Sequence, residues 1–84
     1  MGLPNKPVVL APEQLVELNG KLSELRHNIN NHLALIVAAA ELIRRRPETA
    51  ARMLDTLSEQ PQRIIDEIRK FSELLIETLR LPSD

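Results

Sequence analysis

Residues 15–43, LVELNGKLSELRHNINNHLALIVAAAELI, decide how the chain folds. Apolar positions recur there at alternating three- and four-residue steps, through Leu15, Leu18, Leu22, Leu25, Ile29, His32, Ile36, Ala39 and Ile43. That spacing is a heptad seam, the mark of a long helix packed against another helix. Leu33, Val37, Ala40 and Leu42 widen the stripe, as a helix buried on more than one side requires. Upstream, Pro12 suits the first helical position and Glu13 places a negative charge in the first turn, so a helix is predicted over 12–46. Before it, Pro4 and Pro7 around Val8, Val9 and Leu10 fit an extended arm or linker over 1–11.

Downstream, Pro47 disfavours helical geometry at Arg46 and can itself start a new helix, so a tight reversal is predicted near 47. The second segment, 48–81, has a seam of Leu54, Leu57, Pro61, Ile64, Ile68, Phe71, Leu75 and Thr78, with Met53, Ile65 and Leu79 beside it. Residues 82–84 form a tail. Two segments of about 35 residues, each roughly 50 Å long, joined by a short turn become antiparallel neighbours. Both stripes are too wide for one partner helix. The expected fold is therefore all-α, an antiparallel two-helix hairpin that dimerises into a four-helix bundle. Pro61 predicts a kink in the second helix, at the level of His32 and Leu33 on the first. The other possibility is that Pro61 separates two shorter helices, with Ser58-Glu59-Gln60 as a loop.

Composition narrows the chemistry. The 84 residues suit one domain and contain no cysteine, which excludes disulfides, thiolate metal sites and Cys nucleophiles. So small a core needs help, and self-association is the device left. Phe71 is the only aromatic, and eleven basic against twelve acidic residues leave a net charge of -1. The one basic cluster, Arg44-Arg45-Arg46, reads as a solvated last helical turn favoured by the helix dipole; no nucleic-acid footprint is present. The longest apolar run, Leu33 to Ala40, is far below the ~20 residues that span a bilayer, so no membrane insertion and a cytoplasmic location are expected.

The stretch most informative about chemistry is Leu25-Arg26-His27-Asn28-Ile29-Asn30-Asn31-His32-Leu33. With Leu25 and Ile29 facing the core, His27 and Asn31 point to solvent as neighbours one turn apart, and His32 points inward. An accessible imidazole with one unprotonated nitrogen is a competent nucleophile toward a phosphoryl group. Asn31 is placed to orient a water or a phosphoryl oxygen. Gly20, Ala34 and Ala38 follow the same face and leave room for a partner to approach. His27 and His32, five apart on different faces, do not make a metal site.

The run from Leu25 to Ile36 resembles the H-box of histidine kinases, in the variants reading His-Asp-Phe-Asn-Asn followed by Leu. The layout is similar too: a long first helix with the motif, a short turn, and a second helix ending in Phe71-Ser72-Glu73-Leu74-Leu75. The resemblance spans about Glu13 to Leu81, and the family is the dimerisation and histidine-phosphotransfer domain. It implies that His27 accepts a phosphoryl group and exchanges it with an aspartate on a response-regulator receiver domain. It also implies that Asn31 places the water that removes it. Asn28 stands where the family usually has an acid that takes the imidazole proton, and an amide cannot act as a base. Autophosphorylation should therefore be weak or depend on another group. The proline common five places after the histidine is His32 here.

With two glycines and no P-loop, the chain lacks the parts of an ATP-binding kinase domain. It binds no cofactor on this reading; ATP and Mg²⁺ come only through a separate catalytic or receiver domain. The expected partners are a second copy, a receiver domain and a separate kinase domain. The competing expectation is a structural oligomerisation or adaptor hairpin on the same scaffold whose motif no longer reacts.

Overall fold

The computed structural model describes residues 6–80. Residues 1–5 of the expected arm, Leu81 at the expected end of the second helix, and the 82–84 tail lie outside the described residues. The chain folds as a hairpin of α1 (Pro12–Arg45), a 3-10 turn (Pro47–Thr49) and α2 (Ala50–Leu79).

Each boundary has a local cause. Ala11 caps α1 in an extended conformation (φ -69°, ψ 152°) and has no side-chain oxygen to offer. Gln14 reaches back instead, its Oε1 accepting the Ala11 N–H at 2.8 Å, with Pro12 in the first turn. At the other end Pro47 forces Arg46 out of the helix to φ -134°, ψ 81°. Helix α1 thus stops at Arg45, one residue short of the expected 46. The freed Arg46 carbonyl then accepts from the backbone N–H of Thr49 at 2.9 Å and from its hydroxyl at 2.8 Å. These bonds close a 3-10 turn where the second helix was expected to begin at 48, so α2 starts at Ala50. It ends at Leu79 because Arg80 turns into the left-handed region, φ 54° and ψ 43°, and its N–H caps the Ile76 carbonyl. Through Pro61 the helix is unbroken, and 58–60 are helical; the loop and the two shorter helices do not occur.

The seam is where the sequence reading needs correction. On α1, Leu18, Leu25, Ile29, His32, Ile36, Ala39 and Ile43 turn inward, but Leu15 and Leu22 stay exposed. On α2, Leu57, Ile64, Phe71, Leu75 and Thr78 are covered as expected, whereas Leu54, Pro61 and Ile68 are exposed. The inner line passes one residue earlier, through Met53, Gln60, Glu67 and Leu74. Gln60 and Glu67 are polar, so an apolar pattern skips them. They face His32 and Asn28 across the seam, which also fixes the antiparallel sense.

The principal extents are 57 × 26 × 12 Å, so the hairpin is a slab about one helix thick. A slab that thin encloses little. Among the described residues Ala39 is the only buried apolar side chain, 4% exposed, and no large side chain is fully buried. At about 100° per residue, Leu15, Leu22 and Leu33 sit roughly 60–80° to one side of the inner line of α1. Leu54, Ile65 and Ile68 sit roughly 65–125° round α2 in the same rotational sense. Because the helices are antiparallel, equal rotation brings both sets to one broad face, and all six are exposed. The opposite face holds a groove of about 220 Å³ between Lys21, Glu24 and Leu25 on α1 and Glu67, Lys70, Phe71 and Leu74 on α2.

Candidate functional site

His27 and Asn31 lie one turn apart on the outer edge of α1, and both are exposed. The Asn31 Nδ2 is 3.3 Å from the His27 Nε2. An amide NH₂ can only donate, so this contact is a hydrogen bond in the tautomer that leaves Nε2 free and keeps the proton on Nδ1. A distance of 3.3 Å is at the long end for such a bond, so the amide can be displaced at small cost. The edge thus presents a solvent-facing imidazole with a neutral amide beside its Nε2. Gly20, Ala34 and Ala38 continue this edge and are exposed, and nothing lies within 4 Å of where a Gly20 side chain would begin.

His32 is placed quite differently. It is half-buried in the seam, with Nδ1 2.8 Å from the Gln60 Oε1. A carbonyl oxygen only accepts, so this contact is a hydrogen bond when the proton is on Nδ1. Gln60 is itself 4% exposed, and the pair forms a polar rung through the hairpin. The two histidines therefore share no surroundings.

Asn28 also faces inward rather than toward His27. Its Nδ2 donates to the Glu67 Oε2 at 3.1 Å, a charge-assisted bond between the helices. The residue at the family's acid position is thus tied to a carboxylate contributed by α2. Glu67 and Gln60 were not among the residues singled out from the sequence. Their shared seven-residue step, in line with Met53 and Leu74, was the available signal, and it shows only once polar residues are allowed on a seam.

Elsewhere the charged side chains pair locally. Glu41 holds Arg44 at 2.7 Å and Arg45 at 3.7 Å, with all three partners solvent-facing, as a helix end rather than an anion site would have them. Among the described residues no group of three His, Cys, Asp or Glu is placed to hold a metal ion, and no helix is long and apolar enough to cross a membrane. Comparison with protein-family models, with curated proteins and with solved structures gives no match for this chain.

Proposed function

We propose that the chain is the dimerising, histidine-bearing hairpin of a cytoplasmic two-component signalling protein. His27 is the phosphoryl acceptor, and Asn31 tunes loss of the group. The observation that carries this reading is the exposed pair itself: the His27 Nε2 on an open edge with the Asn31 Nδ2 3.3 Å away. In transfer from a receiver, Nε2 attacks the phosphorus of the aspartyl phosphate. The N–P bond forms as the P–O bond breaks, and the electron pair leaves on the aspartate carboxylate; Mg²⁺ and the aspartate belong to the partner. Asn31 must release Nε2 for this attack, after which its amide is free to hold a phosphoryl oxygen or a water. ATP and its Mg²⁺ come through a separate kinase domain.

The assembly proposed is a homodimer in which the apolar faces of two hairpins meet to form a four-helix bundle. Support comes from Ala39 being the single buried apolar residue among those described, and from the six large apolar side chains left exposed on one face. Ordering each backbone residue costs about 1–2 kcal/mol, and so thin a slab offsets little of that unaided.

A second reading, a non-reactive adaptor hairpin, is favoured by Asn28, which binds Glu67 instead of supplying a base to His27. One experiment separates the two. The chain is incubated with a phosphorylated receiver, or with an excised kinase catalytic domain and ATP, and acid-labile label is sought. We expect label on the chain and none on the His27→Gln variant. Label that persists in that variant removes His27 from the mechanism, and receiver binding without label leaves the adaptor.

A further inference from the structure

Among the described residues, only two side-chain hydrogen bonds join α1 to α2, Asn28 to Glu67 and His32 to Gln60. Both lie at the level of the His27–Asn31 pair. Asn28 directly follows His27 in the chain, and His32 directly follows Asn31. Each member of the outer pair therefore has, about 100° round the helix, a neighbour bonded to the opposite helix. Apolar contact is non-directional: the half-buried stripe of α1 chooses which side turns inward, but with Ala39 the only buried apolar side chain among the described residues it sets the finer rotation loosely. Hydrogen bonds are directional, and two of them one turn apart on α1 fix both rotation and register.

We infer that Glu67 and Gln60 are positioning residues for the phosphoryl site: through Asn28 and His32 they hold the edge of α1 that presents His27 and Asn31 to a partner. This rests on the reading of His27 and Asn31 as the reactive pair. Neither Glu67 nor Gln60 touches the reacting atoms. Glu67 fixes Asn28 by a charge-assisted bond, and Gln60 fixes His32 from inside the seam. Polar pairs of this kind within a helical interface commonly set register and orientation rather than add stability.

The polarity of the first rung can be reversed, which gives a test. Asn28→Asp sets two carboxylates against each other and breaks the rung. Adding Glu67→Gln restores it with donor and acceptor exchanged. The readout is the paramagnetic relaxation of the His27 ring and Asn31 amide protons by a nitroxide on Arg63→Cys, an exposed α2 position in a chain with no other cysteine, which reports where the edge of α1 stands against α2. We expect Asn28→Asp to change those relaxation rates. The double variant, which keeps the aspartate and so any direct effect on the ring, should return them toward the wild-type values. Gln60→Leu should also change them while the helical circular dichroism persists. Rates unchanged by Asn28→Asp, or a double variant as shifted as the single one, overturn the inference. No phosphoryl transfer enters this readout, so failure of His27 to take label would sink the proposed function without deciding the rungs.

Discussion

Ile68 and Leu35 are equally exposed in the single hairpin, at 47% and 49%, yet they stand on opposite broad faces of it. Ile68 shares its face with Leu15, Leu22, Leu33, Leu54 and Ile65, an apolar surface running along both helices. Leu35 lies on the side of α1 that carries Lys21, Glu24 and Asn28, toward the groove lined by Glu67 and Lys70. Isolated exposed leucines are ordinary on protein surfaces, whereas a contiguous apolar face marks an interface. The difference teaches that exposure alone assigns nothing; the neighbours do.

The same substitution on the two faces is the strongest way to break that comparison. Ile68→Lys puts a charge where the proposed dimer requires an apolar contact, and its symmetry places it there twice. Sedimentation should show the dimer Kd raised at least about 100-fold, close to 3 kcal/mol. Leu35→Lys should leave the Kd within about threefold, since surface changes away from an interface usually amount to less than ~0.5 kcal/mol. If both variants dissociate equally, or if the unaltered chain is a stable helical monomer at micromolar concentration, the apolar face is not a dimer interface.

The next effect lies between the faces, in the seam. His32→Leu leaves the Gln60 amide buried without its partner and should cost about 1–3 kcal/mol in urea unfolding. Gln60→Leu, which strands the ring N–H, should cost a similar amount. Replacing both by leucine should come close to neutral, because no polar group is then left unpaired. Additive single costs in the double variant would show that the 2.8 Å contact does not couple the two residues.

These pairs also mark where the sequence stopped being readable. The hairpin was legible because Pro12, Pro47 and the apolar spacing all act locally or along one helix. The positions of His27 and Asn31 on the outer edge, and of His32 in the seam, followed from Leu25 and Ile29 alone. What the pattern could not supply was which of two adjacent lines on α2 faces α1. Leu54, Pro61 and Ile68 form the more apolar line, so a rule that buries apolar residues assigns it to the seam. The hairpin instead spends its inner line partly on Gln60 and Glu67, because these match His32 and Asn28 across 28 and 39 residues of chain. A cross-helix polar match is invisible to periodicity within one segment. The turn was displaced for a smaller reason: the Thr49 hydroxyl and N–H both reach the Arg46 carbonyl, and a 3-10 turn takes up residues that Pro47 alone would allow to be α-helical.

The smallest expected effect lies at the end of α2, away from both faces, and it sharpens the comparison by acting on the hairpin alone. Arg80 holds φ at 54°, a left-handed conformation costing a residue with a β-carbon roughly 1 kcal/mol more than glycine. Arg80→Gly should therefore stabilise the fold by about 0.5–1 kcal/mol, raising Tm by a few degrees. Because the change leaves the proposed interface untouched, the gain should be the same at every protein concentration, whereas the dependence of Tm on concentration should remain that of the unaltered chain. In Ile68→Lys that dependence should vanish. An Arg80→Gly gain that grows or shrinks with concentration would mean that the end of α2 takes part in the association, and the interface would then extend beyond the apolar face.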